Sequence, residues 1–152
     1  MSAEKTEVTE QQVQEDLVRL DAYRGQLNAL LQQHQILSAS RQDHLRARES
    51  LEGVDHASPG APLLLPLGGE TFVRGSIDLG EPVLIGVGSG IVVEMDRPKV
   101  VELLAERMSK IDLAVRDLER QMSGLDDRIQ VLSRRLDAIA RASVSTADVG
   151  GN

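Results

Sequence analysis

Between Val101 and Ile139 one position repeats every seven residues as Val101, Met108, Val115, Met122, Ile129 and Leu136. Its mate repeats as Leu104, Ile111, Leu118, Leu125, Leu132 and Ile139. Every slot in both series is apolar, so this segment must be a helix that buries one narrow stripe against another helix. Asp112, Glu119 and Asp126 flank the stripe on one side and Arg107, Arg128 and Arg135 on the other, as solvent-edge positions of a coiled coil do. Aromatic residues make up 1% of the 152-residue chain, just Tyr23 and Phe72, whereas a compact core of that size draws heavily on aromatic side chains. With 41% hydrophobic and 27% charged residues, the composition suits long amphipathic helices and an elongated molecule.

The chain divides into two helical arms around a Gly/Pro-rich middle, with a flexible tail at each end, 1–9 and 143–152. The first arm is expected over 10–53, opened by a Thr9/Gln12 capping box and stopped at Gly53. Its stripe is imperfect. One frame runs through Val13, Leu17, Leu20, Leu27, Leu31 and Leu45 but admits Arg24, His34, Ser38, Arg41 and Arg48. A second frame, through Tyr23, Leu27, Leu30, Leu37, His44 and Leu51, is expected to take over partway, as when a straight helix drifts against a strict heptad. The second arm is expected over 96–142, with Pro98 in its first turn and Gly124 off the stripe, where glycine costs about 1 kcal/mol against alanine. Arms of nearly equal length, about 43 to 45 residues or roughly 65 Å, imply a folded-back antiparallel pair. Val13 and Leu17 then lie beside Leu136 and Ile139 at a free tip.

The middle, 54–95, changes to apolar and β-branched runs separated by glycine pairs and reads as two β-hairpins. Leu63–Leu67 and Thr71–Ile77 flank Gly68-Gly69; Val83–Val87 and Gly90–Met95 flank Gly88-Ser89, where a leading glycine predicts a type II′ turn. Pro66 predicts an edge strand. Isolated hairpins are marginal in water and their open edges invite pairing, so this insert is expected to complete itself by oligomerising.

Lys and Arg total 17 against 24 Asp and Glu, a formal charge of -7 with pI near 4.9, and no basic run stands apart to bind nucleic acid. The absence of cysteine excludes disulfides, thiolate zinc sites and a Cys nucleophile, and fits a reducing cytosol. The opening residues Met1–Glu7 lack the apolar core of a signal peptide, and the longest apolar stretch, Ala61–Leu67, is too short and too Pro-broken to span a bilayer. The expectation is a soluble, cytoplasmic protein.

Three sharper readings give way to plainer ones. Gly86-Val87-Gly88-Ser89-Gly90 has the look of a phosphate loop, yet it lacks the Lys-Ser/Thr ending and leads into the strand-like Ile91-Val92-Val93. His34, His44 and His56 are not spaced to converge on a metal and read as seam or solvated residues. Glu15-Asp16 and Asp126-Asp127 sit on solvated helices with no cleft to separate their pKa values, so no catalytic pair is expected. No enzyme activity, cofactor or metal site follows from this sequence.

Leu65-Pro66-Leu67-Gly68-Gly69, Phe72-Val73-Arg74-Gly75 and Ile85-Gly86-Val87-Gly88-Ser89-Gly90-Ile91-Val92-Val93-Glu94, placed between two coiled-coil arms, resemble the linker of α-type prefoldin subunits. Two hairpins rather than one is the feature similar to α-type rather than β-type chains, and archaeal chains are the most similar. The resemblance implies a mainly α fold with a β insert. A long antiparallel two-helix coiled coil is joined by two β-hairpins that form an intersubunit β-barrel platform. It further implies a hexamer of two α with four prefoldin β subunits, holding non-native client proteins at its tips without ATP and passing them to a group II chaperonin.

On that reading Val13, Leu17, Leu132, Leu136 and Ile139 are the client-binding residues. Leu65, Leu67, Phe72, Val73, Ile77, Val83, Ile85, Ile91 and Val93 are the assembly residues. The alternative is a structural coiled-coil tether or scaffold that oligomerises through its hairpins. A tether needs only a short turn between its helices, and the double hairpin is what separates the two.

Overall fold

A computed structural model describes residues 10–78 and 80–149, so Thr9 and its expected cap lie outside the described residues. The order of elements is α1 (Glu10–Val54), β1 (Pro62–Gly68), β2 (Thr71–Ser76), β3 (Val83–Gly88), β4 (Ile91–Met95) and α2 (Arg97–Val149). The chain forms two compact units. One joins residues up to Leu37 with those from Ala114 onward, and the other is Ser38–Leu113.

In the first unit Asp16 approaches Arg135, Tyr23 lies under Arg128 and His34 approaches Glu119. In the second, Arg41 meets Asp112 and Asp55 meets Arg97. Within each unit one residue number rises as the other falls, which is antiparallel pairing of α1 with α2. The α2 stripe behaves as its heptads require: Leu104, Met108, Leu118, Leu125 and Leu132 are buried and the remaining stripe positions half-buried. A helix that presents an unbroken 3.5-residue repeat holds its partner to the same repeat. The buried and half-buried positions of α1 accordingly include one continuous frame, Val13, Asp16, Leu20, Tyr23, Leu27, Leu30, His34, Leu37, Arg41, His44, Arg48 and Leu51, with Ser38, Ser40, Leu45 and Val54 half-buried beside it. The expected change of frame does not occur, and Leu17 and Leu31 lie outside the seam, 45% and 43% exposed.

α2 continues past Ala142 to Val149, because no Pro or Gly interrupts residues 143–149 and the helix meets no stop signal there. At its start the amide of Val100 donates to the Asp96 carbonyl, with Pro98 in the first turn, where its missing N–H costs nothing. Gly25 and Gly124 lie inside the helices, and a Cβ added at either would meet nothing within 4 Å. Gly25→Ala and Gly124→Ala are therefore each expected to stabilise the chain by about 0.5–1 kcal/mol. Urea unfolding of the two single variants and of the double variant measures both the gain and its additivity.

Each hairpin is a two-stranded antiparallel sheet. In the first, Leu65 faces Val73 and Pro66 faces Phe72, after which the register shifts so that Gly68 faces Thr71 and Leu67 is the extra residue. In the second, Ile85 faces Val93, Gly86 faces Val92 and Gly88 faces Ile91, with Val87 extra. The two-residue turns are therefore Gly69-Glu70 and Ser89-Gly90, one residue later than expected. Both central residues have positive φ, 55° and 58° in the first and 52° and 74° in the second. That is the type I′ geometry, which matches strand twist, rather than type II′. The glycines expected to form the turns are used just before them: Gly68 at φ 99° and Gly88 at φ 115° take a conformation denied to L side chains and close the bulges.

Ile85 packs with Val100 and Leu104 into a core that Leu51, Val83, Val93, Met95 and Leu103 extend. Arg107 crosses from α2 to donate to the Gly86 carbonyl at 2.7 Å. The second hairpin is thus fastened to the start of α2.

Candidate assembly and client-contact surfaces

The end of the first unit gathers Val13, Leu132, Leu136 and Ile139 along the seam, Leu132 buried and the others half-buried. Leu17 points away from it. Leu20, expected in the α1 stripe though not among the client residues, is 6% exposed, and sequence reasoning passed over Asp16, which is 4% exposed and the sole buried charged residue among those described. The signal for Asp16 was available: stepping back one heptad from Tyr23, Leu30 and Leu37 reaches it. Its Oδ2 lies 3.3 Å from Arg135 Nε, close enough for an ion pair but not aligned as a hydrogen bond, so that oxygen is buried without a hydrogen-bond partner. Half of the Arg135 side chain remains in water. A carboxylate so placed receives only part of the compensation that burial demands.

Farther along, the polar seam residues of α1 are matched by the acidic flank of α2. His34 Nε2 lies 3.5 Å from Glu119, and Arg41 contacts both oxygens of Asp112, at 2.5 and 3.4 Å. The hydrogen bond to Asp112, and then its charge, raise the Arg41 pKa above its ordinary value. His44 Nδ1 bonds the Ser40 carbonyl at 2.7 Å. A polar residue at a seam position trades stability for register, since sliding one helix by a heptad would leave these groups unmatched. On the outer face of α2, Lys110 bonds and attracts Glu106 and holds its carboxyl below the usual range. A depressed carboxyl stabilises the fold above its unfolded pKa and loses that contribution as pH falls through the folded value.

The hairpins present a different surface. Leu65, Leu67, Phe72, Val73 and Ile91 are exposed, at 47%, 68%, 56%, 44% and 58%. Val83 and Val93 are instead half-buried with Ile85 against the α2 start, and Ile77 is half-buried beyond β2. Leu64, Leu84 and Val92, absent from the expected set, are as exposed as its outward-facing members. The first hairpin is apolar on both faces, and within it Leu65 lies over Gly75, where a Cβ would stand 3.0 Å from Leu65 Cδ1. Contiguous exposed apolar area of this kind is characteristic of surfaces that other chains cover.

Among the described residues no His, Cys, Asp and Glu cluster is arranged to hold a metal, and no helix is long and apolar enough to cross a membrane. The family profile for Prefoldin, described as Prefoldin subunit, matches residues 23–142. The chain belongs to the prefoldin family.

The chain is 27% identical over 130 residues to prefoldin subunit alpha of Methanocorpusculum labreanum, covering 86% of this chain and 88% of that protein. It is 25% identical over 142 residues to prefoldin subunit alpha of Nitrosopumilus maritimus, covering 93% and 92%. Among solved structures, a chain of filamentous PFD from Methanocaldococcus jannaschii is similar with TM-score 0.65 and 20% identity, over 76% of this chain and 95% of that one. The prefoldin beta subunit from Thermococcus strain KS-1 is similar with TM-score 0.58 and 20% identity, over 84% and 91%. Two long helices with two small antiparallel hairpins are therefore a prefoldin fold, and membership makes the chain a prefoldin-type chaperone subunit rather than an enzyme.

Proposed function

We propose that this chain is the α-type subunit of a cytoplasmic, nucleotide-independent holdase. It assembles through its hairpins with prefoldin β subunits, two α with four β, and hands non-native proteins to a group II chaperonin. The observation that carries this reading is the pair of apolar hairpins, one fastened to α2 and the other exposed on both faces, between two antiparallel helices. A tether has no use for the second hairpin, whereas a multi-subunit platform does. In the first unit, fraying of the seam uncovers Val13, Leu132, Leu136 and Ile139, and Leu17 is already exposed beside them. Each contact with a client is worth about 25 cal/mol per Å² of apolar area removed from water, and several tips acting together turn weak contacts into capture.

The test is light scattering during dilution of an unfolded protein, without nucleotide, in the presence of this chain assembled with a β-type partner. Suppressed aggregation is the expected result. Unchanged aggregation with an intact complex favours the tether. Leu136→Ser with Ile139→Ser is expected to weaken client capture about tenfold or more while the native mass of the assembly stays the same. Unaltered capture by that double variant removes the tip residues from the client site.

A further inference from the structure

The two helices of the first unit leave a groove along one flank of their seam. Two small residues open it, Ala29 of α1 and Gly124 of α2, and a Cβ at Gly124 would meet nothing within 4 Å. The hollow there has a volume of about 590 Å³ and is walled by Gln26, Arg120, Gln121 and Arg128. Arg128 also walls a second hollow of about 260 Å³, completed by Arg19, Tyr23, Asp127, Val131 and Leu132, so the two adjoin at that residue. Three arginines thus stand against one carboxylate in a chain whose formal charge is -7. Glu119 and Asp126 lie on the other side of the α2 stripe.

The arginines are open to a ligand. Arg128 lies 5.8 Å from the centre of the Tyr23 ring, and among the described residues neither it nor Arg19 has an ion pair. Arg120 bonds Asp117, but their side chains are 78% and 62% exposed, and a pair so solvated exchanges readily for another carboxylate. Guanidinium forks match carboxylates, and the amides of Gln26 and Gln121 both donate and accept, as a peptide backbone requires. At about 1.5 Å per residue Arg120 and Arg128 are about 12 Å apart along α2, too far to close on one phosphate. An extended chain covers that span in about three or four residues. A nucleic-acid base has no ring to stack on, because Arg128 already covers Tyr23. Tyr23, Val131 and Leu132 make the far end of the groove apolar, with Val131 63% exposed.

We propose that this flank of the first unit binds an acidic, extended segment of a partner protein. Its carboxylates pair with Arg120 and Arg128, and an apolar side chain next to the second carboxylate enters the hollow beside Tyr23 and Val131. Opposite charge across the groove selects the partner. The site goes beyond the holdase reading and needs neither a non-native client nor a β-type chain, so its failure leaves that reading untouched.

The test is fluorescence anisotropy of a peptide Glu-Ser-Gly-Ser-Glu-Leu, blocked at both ends and carrying an uncharged dye, titrated with the full chain at low salt. Binding is expected, and replacing both Glu by Gln in the peptide should weaken it about tenfold or more. Arg128→Glu should weaken it by a similar factor. Gly124→Leu keeps every charge and fills the first hollow, and it should cost about fivefold or more while circular dichroism shows an unchanged fold. Changing the peptide's Leu to Ser should cost about threefold or more. No binding by the wild type, equal binding of the Gln peptide, or equal binding by Arg128→Glu and Gly124→Leu overturns the site. Displacement of the peptide by tripolyphosphate as effectively as by unlabelled peptide overturns the choice of a protein segment over a phosphate ligand.

Discussion

Asp16→Leu is expected to stabilise the first unit by about 1–4 kcal/mol, the range over which apolar residues replace buried ion pairs. Asp16 is 4% exposed between Val13 and Leu20, its Oδ2 lacks a hydrogen bond, and its counter-ion is half in water. Leucine removes the desolvation cost and extends the row of Leu20, Leu27 and Leu30 by one more seam contact. Hydrogen exchange of the amides over 13–20 and 132–139 should slow about fivefold to several hundredfold, since 1.4 kcal/mol is a factor of ten. Arg135→Met should move the same amides the other way by leaving the carboxylate uncompensated. Equal exchange in wild type and Asp16→Leu would mean that the carboxylate is hydrated in solution and costs nothing. A tip that opens less should also capture clients less well, so the stabilised variant is expected to be the poorer holdase if the tip holds clients.

Ile85→Lys is the second large effect, in the destabilising direction. Ile85 is 7% exposed and touches Val100 and Leu104, which are 2% and 6% exposed, and no acidic group belongs to that cluster. An unpaired ammonium there costs about 3 kcal/mol or more, against about 0.5–1.5 for Ile85→Val, and detaches the second hairpin from α2. Thermal unfolding followed by circular dichroism should show the loss in the chain by itself. Phe72→Glu, on the exposed first hairpin, should leave that transition in place and act on assembly alone. Matching transitions in wild type and Ile85→Lys would show that the hairpin is not held by this core.

The predominance of helix, the two arms, the insert and its two hairpins were legible because each rests on a local signal. Heptad repetition reports a buried stripe whatever the stripe packs against, and glycine pairs between β-branched runs report turns. The α2 stripe was read correctly to the residue, since every position in it is apolar and burial and polarity agree. The α1 stripe was read only in part: His34, Arg41, His44 and Arg48 do sit in the seam, but Leu17, Arg24 and Leu31 do not, and Asp16, which neither frame included, does. Apolarity is a guide to burial only where a residue has no partner that makes a polar group tolerable. Asp112, Glu119 and Arg135 are such partners, and they are distant in sequence.

The turn positions show the same division. Both hairpins were predictable from composition, but a bulge at Leu67 and at Val87 moves each turn by one residue, and a bulge is a property of the paired strands rather than of either one. The end of α2 was displaced by seven residues for a simpler reason: polarity was taken for a stop where no stop residue stands. By itself the sequence determined which segments are helix and strand and that α2 buries a continuous stripe, because those follow from short-range periodicity. Only the tertiary structure decided which face of α1 meets that stripe, and that a carboxylate lies in it. It alone decided that one hairpin is fastened while the other is left bare. Those outcomes depend on the matching of charge and shape between residues far apart in the chain.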